Sequence, residues 1–124
     1  SSHGVKIILF YGDNILLVRN TYRTGWTLPG GGIKKSESPR QAAVREVGEE
    51  VKINIVDLKN HGTVRLDFEK NSMVTVFSGK VKSFDFEIDG LEIEKAMWVN
   101  KKELYKFDIL PVGRRCLQLL NLVS

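Results

Sequence analysis

Apolar residues in this chain fall into short alternating or continuous runs, broken by glycine- and asparagine-bearing turns; only a few stretches repeat with helical spacing. Val5 to Tyr11 is a β-rich run, Gly12-Asp13-Asn14 is a turn signal, and Ile15 to Arg19 is a second strand, so the chain opens as a hairpin. Asn20 to Gly25 is a polar loop, and Trp26-Thr27-Leu28 is a short strand feeding a loop at Gly30, Gly31 and Gly32. Ile53, Ile55 and Leu58 nearly alternate, which predicts a strand over 53–58. Val64, Leu66 and Phe68 alternate with Thr63, Arg65 and Asp67, and Met73 to Val81 pairs with that strand around a turn at Glu69-Lys70-Asn71-Ser72. Phe84 to Gly90 reads as a loop or edge strand, and Trp98-Val99 as a strand.

The helical stretches carry their own start signals. Ser38 is an N-cap, Pro39 suits the first helical position, and Gln41 completes a capping box. At about 100° per residue, Val44, Val47 and Val51 share a face that should enter the core. Glu46, Glu49 and Glu50 form a second face, roughly 140° away by the same arithmetic. Asn100-Lys101-Lys102-Glu103 is a second capping box opening a short helix. After Leu110-Pro111, Val112 to Val123 reads as a helix with Cys116, Leu119, Leu120 and Val123 on its stripe and Leu117 broadening it. Many strands with two substantial helices fit an α+β layered arrangement.

Composition bounds this picture. The chain has 124 residues, enough for one domain, 1–124, with one sizeable core. Its opening Ser-Ser-His-Gly reads as a tag remnant or a trimmed start. No apolar run approaches the length of a membrane span, so no membrane partner is expected. The net charge of +4 fits an anionic ligand such as a nucleotide, and fits plain solubility equally. No extended basic stretch points to a stable nucleic-acid partner. The single Cys116 excludes an internal disulfide and a thiolate cluster, and suggests a reducing, cytoplasmic setting. His3 and His61 are too few and too separated for a zinc site.

Three carboxylates on one helical face repel one another, and near the helix C-terminus the macrodipole disfavours them further. A solvated acidic face is the bland alternative. A hard divalent cation would relieve both penalties, and oxygen ligands suit Mg²⁺ or Mn²⁺. The glycines allow close backbone approach, so the loop can aim carbonyls at a metal or amides at phosphate oxygens.

Gly31, Glu37, Arg45, Glu46, Val47, Glu49, Glu50 and Ile53 stand at the spacing G-x5-E-x7-R-E-U-x-E-E-x-G-U, with U a bulky aliphatic residue. This resembles the Nudix box. Lys52 departs from it, standing where the motif has the glycine that ends the helix. The resemblance implies a Nudix-type α/β/α sandwich around a central mixed β-sheet. It implies metal ligation by Glu46, Glu49 and Glu50 with the Gly30 or Gly31 carbonyl beside them, and a bracing pair of Arg45 and Glu37. It further implies that an acid of the Glu92–Glu94 stretch, Glu94 foremost, completes the metal site or acts as base. Arg19, Arg23, Trp26, Gly31, Gly32 and Arg65 are the candidate substrate contacts; an ordinary surface or core role competes at each. The implied reaction is Mg²⁺-dependent hydrolysis of a pyrophosphate bond in a nucleoside diphosphate derivative.

Between Ile53 and Leu104 the chain has neither proline nor tyrosine, so the ADP-ribose-type proline and the dinucleoside-polyphosphate-type tyrosine are missing. A nucleoside triphosphate or small nucleotide sugar leads by elimination. A Nudix-fold module that binds a nucleotide without turnover is the alternative of a different class. Many relatives form dimers, which leaves a homodimer open.

Overall fold

A computed structural model describes residues 2–67 and 72–124. The strands are β1 (Ser2–Tyr11), β2 (Asn14–Asn20), β3 (Gly30–Gly32), β4 (Val56–Leu66), β5 (Ser72–Lys80) and β6 (Ile93–Asn100). Helix α1 spans Pro39–Val51, α2 spans Pro111–Leu119, and a 3-10 turn covers Lys101–Lys106. The sheet runs β4-β5-β1-β2-β6. It is mixed, because β1 and β5 are parallel while β4, β2 and β6 join antiparallel. One edge of β1 serves two partners: Phe10 and Tyr11 pair with Ile15 and Asn14 of β2, while Gly4, Val5 and Lys6 pair with Gly32, Gly31 and Gly30 of β3.

Strand alternation builds two cores, one on each face. Val5, Ile7 and Leu9 point with Leu16, Val18 and Phe77 toward Ala42, Ala43, Val47 and Val51 of α1. Ile8, Ile15, Leu17, Val74 and Val76 point the other way, onto Leu104, Ile109, Cys116 and Leu117. A sheet buried on both faces explains why β1 and β2 read as nearly unbroken apolar runs. The layers are helix, sheet, helix, the expected α/β/α sandwich. Among the described residues no helix is long and apolar enough to cross a membrane.

Several elements differ from the sequence reading. The glycines form strand β3 rather than a loop, because β1 has a free edge there. The strands expected over 53–58 and from Thr63 onward are one strand, β4, kept paired to β5 by register shifts between Val56 and Lys59 and between Asn60 and Thr63. Phe68 and the turn residues Glu69, Lys70 and Asn71 lie outside the described residues. Trp26-Thr27-Leu28 makes only single bridges, Thr27 to Val18 and Trp26 to Ile109. Asn100 caps Lys102 N–H, but Glu103 pairs with Lys106 instead of reaching back, so the second box is incomplete. Helix α2 stops at Leu119, and Leu122 N–H donates to Leu117 O at 3.0 Å, folding Leu120, Leu122 and Val123 back onto the core. Leu119 is consequently 37% exposed while Leu117 is buried.

Helix α1 carries the largest correction. Val47 and Val51 enter the core as expected, but Val44 is 55% exposed, and the buried face also holds Ala42, Ala43, Glu46 and Glu50. Ala43 and Glu50 are seven residues apart, close to two full turns, so they lie nearly in line. The carboxylates therefore share the buried arc rather than occupying a separate face. The Ser38–Gln41 capping box is present in both directions. Lys52 adopts the left-handed conformation that the missing glycine would have taken, φ 58° and ψ 40°, and its Nζ donates to Glu49 O at 3.0 Å.

Candidate active site

Strand β3 supplies backbone groups to α1. In an antiparallel ladder, successive residues face the partner strand and then away from it. Ile7 N–H donates to Pro29 O and Ile33 N–H to His3 O, so Pro29 and Ile33 face β1. Gly30 and Gly32 turn toward α1, and both are used. Gly30 N–H donates to Glu50 Oε1 at 2.9 Å, and Gly32 O accepts from Arg45 Nη2 at 3.0 Å. Two glycines are required for different reasons. Gly30 has φ +151°, and a Cβ there would strike the Val5 carbonyl. A Cβ on Gly31 would lie 2.6 Å from Glu46 Oε2. The carboxylate of Glu46 rests in the space that side chain would fill.

Glu50 is 4% and Glu46 9% exposed. Burial pushes the Glu50 carboxyl up to about 7, and the nearby charges of Glu46 and Glu92 act in the same direction; the Gly30 amide and Lys6 pull it back. Among the described residues Glu46 Oε2 and Glu50 Oε2 accept no hydrogen bond. Glu46 and Glu50 are buried residues whose second carboxylate oxygens still reach solvent, and such oxygens beside a glycine strand fit a hard divalent cation. Glu49 stands apart, with its side chain 56% exposed and turned to Arg45. Among the described residues, no three acidic, histidine or cysteine side chains converge as a ready-made metal cluster.

Arg45 explains that dispersal. Its Nε and Nη2 grip Glu37 at 2.7 and 2.9 Å, and its Nη1 reaches Glu46 at 2.7 Å and Glu49 at 3.0 Å. The expected Arg45–Glu37 brace is thus present, and it extends to two of the candidate metal ligands. The guanidinium, helped by the Lys34 amide, holds the Glu37 carboxyl down at about 2. Arg45 covers Glu37, leaving 14% of that side chain open to water.

The other candidates are more scattered. Glu94 pairs with Arg19 at 3.8 Å, and the Arg19 guanidinium lies 5.5 Å from the Trp26 ring centre. Trp26 meets Phe107 edge-on at 6.0 Å, so it packs at the border of the second core. Glu92, not Glu94, is the acid whose charge is felt at Glu50. Asp89 Oδ1 presents it by accepting from the amides of Leu91, Glu92 and Ile93. Burial is the main influence disfavouring the charge of Lys6, and exposed Arg23 lies near enough to add to it. Arg65 is exposed on β4, with β5 between that strand and β1.

Sequence reasoning passed over Lys6. It sits inside the apolar run of β1, opposite in direction to Val5 and Ile7, and its Nζ donates to Leu28 O at 2.9 Å. A lone lysine within a strand that is apolar on both faces was the signal. A cavity of about 230 Å³ adjoins the glycine strand, lined by Lys6, Gly31, Leu66, Val74 and Val112 among others. Larger clefts of about 390 and 370 Å³ border Val81 and contain none of the box glutamates.

Comparison with known proteins agrees with this architecture. A Mycobacterium tuberculosis protein provisionally named 8-oxo-dGTP diphosphatase 2 is 30% identical over 89 residues, 72% of this chain and 63% of the relative. The chain spans less than two thirds of the length of the curated relatives it matches first. The MutT protein of Methanosarcina mazei Go1 superposes with a TM-score of 0.77 at 27% identity, covering 92% of this chain and 87% of that one. The MutT NUDIX hydrolase of Burkholderia pseudomallei shares the fold with a TM-score of 0.83 at 20% identity, covering 97% and 98%. The family model described as the NUDIX domain matches residues 2–120, and the chain belongs to that family.

Proposed function

We propose that this chain is a divalent-metal-dependent pyrophosphohydrolase acting on a nucleoside triphosphate or a small nucleotide sugar. The observation that carries this is the pairing of two buried residues, Glu46 and Glu50, against a glycine strand, each with one carboxylate oxygen that accepts no hydrogen bond among the described residues. Mg²⁺, with Mn²⁺ as a substitute, would supply charge neutralisation on the phosphates and a water activated for attack on phosphorus. Glu46 and Glu50 are its holders, with the Gly30 carbonyl beside them. That carbonyl shares the direction of the Gly30 N–H, which already reaches Glu50. Glu49 would join them only by giving up its contact with Arg45.

Arg45 and Glu37 position rather than react. They tie the loop after β3 to α1 and orient Glu46. Losing such support commonly costs about 10- to 100-fold in metal affinity or activity. Between the two late acids, Glu92 is the better placed to take a proton from the attacking water, since Glu94 is engaged by Arg19. The mycobacterial relative, named for a diphosphatase of an oxidised nucleoside triphosphate, supports the triphosphate reading over the nucleotide sugar.

The test is pyrophosphate and phosphate release from nucleoside triphosphates and nucleotide sugars, with Mg²⁺ and with EDTA, for wild type and Glu50→Gln. Metal-dependent turnover abolished by the substitution is the expected result. Nucleotide binding without turnover of any compound would instead make the chain a binding module.

A further inference from the structure

Residues 81–92 join β5 to β6 without a helix or strand of their own. They dock on the C-terminal end of α1, where Glu87 N–H donates to Val51 O at 3.0 Å and Asp89 N–H to Glu50 O at 3.3 Å. Both carbonyls belong to the last turn of the helix, which has no intrahelical donors for them. Asp89 is thereby fixed to the backbone of Glu50, a candidate metal ligand.

Two side chains then hold the residues that follow. Asp89 Oδ1 accepts from the amides of Leu91, Glu92 and Ile93 at 3.2, 3.2 and 3.0 Å. From the connection after β2, Thr21 Oγ1 donates to Leu91 O and Thr21 N–H donates to Glu92 O, both at 2.8 Å. Every backbone N–H and C=O of Leu91 and Glu92 is therefore engaged, although both residues are exposed. Water would satisfy these exposed groups as well, so no burial penalty demands the bonds. What they add is a fixed direction for the chain.

The other side of Glu92 is anchored too. Asn20 opposes Ile93 while Arg19 opposes Lys95, so Glu94 is the extra residue of a β-bulge. The bulge turns Ile93 into the first core, on the same face as Ala96 and Trp98, and leaves Glu94 to Arg19. Glu92 stands between these two anchors, and its charge is felt at Glu50.

Resting on the pyrophosphohydrolase reading above, with Glu92 as its proton acceptor, we propose that Asp89 is a positioning residue that holds Glu92 at the metal-binding end of α1, with Thr21 as the opposing clamp. Both act through the backbone of Leu91 and Glu92. Asp89 Oδ2 accepts no hydrogen bond among the described residues, so Asp89→Asn keeps the Oδ1 acceptor, whereas Asp89→Ala removes it.

The test is a double-mutant cycle at saturating Mg²⁺, with whichever of GTP, ATP, CTP and UTP is hydrolysed fastest and with thermal melts to verify folding. Glu92→Gln should lower kcat by about 100-fold or more. Asp89→Ala should lower kcat by about ten-fold or more with KM nearly unchanged, and Asp89→Asn should recover most of that loss. In the Glu92→Gln background Asp89→Ala should cost little further. Wild-type kcat in Asp89→Ala overturns the proposal, and so does an equal fold-loss in both backgrounds, which would mark a purely structural residue. If Asp89→Ala does not fold, Thr21→Val, which loses the Oγ1 donor, takes its place in the cycle. If no triphosphate is hydrolysed, the hydrolase reading has failed, and amide hydrogen exchange without metal tests the clamp alone. Slow exchange at Leu91, Glu92 and Ile93 that quickens in Asp89→Ala but not in Asp89→Asn supports it; fast exchange at these amides in wild type overturns it.

Discussion

Arg45 grips Glu37 through two parallel hydrogen bonds, Nε to Oε2 at 2.7 Å and Nη2 to Oε1 at 2.9 Å, across the loop that joins β3 to α1. A lysine offers a point charge and not this fork. Arg45→Lys should keep the fold but free the loop and Glu46, lowering kcat/KM by about 10- to 100-fold. Steady-state kinetics with a Mg²⁺ titration would check this; an unchanged Mg²⁺ dependence would remove Arg45 from the positioning role.

The same pair sets an acid limit. Glu37 is held at about 2, below its ordinary 4.5, chiefly by its hydrogen bond to Arg45. A depressed carboxyl contributes stability that is complete above 4.5 and lost as pH falls toward 2. Wild type should therefore lose thermal stability across that window more steeply than Glu37→Gln. Melting curves from pH 5 to 2 would show it.

Glu50 works in the opposite sense. Its pKa is raised to about 7, mainly by burial, so without metal the folded protein loses stability as pH rises from 4.5 through 7. Glu50→Gln removes the buried charge while an amide oxygen can still accept from Gly30 N–H. In EDTA, the variant should melt above wild type at pH 8 and show no such advantage at pH 4.5. Mg²⁺ should raise the melting temperature of wild type at pH 8 and leave the variant unmoved. Equal Mg²⁺ responses would detach Glu50 from the metal.

The glycines of β3 should separate folding from function. Gly30→Ala forces a Cβ into the Val5 carbonyl at a positive φ and should destabilise by about 1–3 kcal/mol or more. Gly31→Ala meets the Glu46 carboxylate instead, so it should spare much of the stability and weaken Mg²⁺-dependent turnover. Denaturant melts beside kinetics would compare them.

Gly48 lies in α1 with open space where a Cβ would stand. Gly48→Ala should stabilise by about 1 kcal/mol through helix propensity alone. Urea unfolding measures that directly, and a destabilised variant would mean that this face of α1 is not open.

Much of this protein was legible in its sequence, and for local reasons. The Ser38–Gln41 capping box, the β1–β2 hairpin and the braced pair Glu37 and Arg45 depend on short-range geometry or fixed spacing along one loop and helix. What tertiary structure decided depends on which surfaces meet. Glu46 and Glu50 share the buried arc of α1 because β3 packs against them there, while Val44 lies outside that arc. The glycines became a strand because β2 leaves that edge of β1 unpaired. Glu92 came to act on Glu50, Glu94 paired with Arg19, and Lys6 entered the wall of a cavity. No periodicity encodes these placements, since each brings together residues distant in the chain through packing of whole elements.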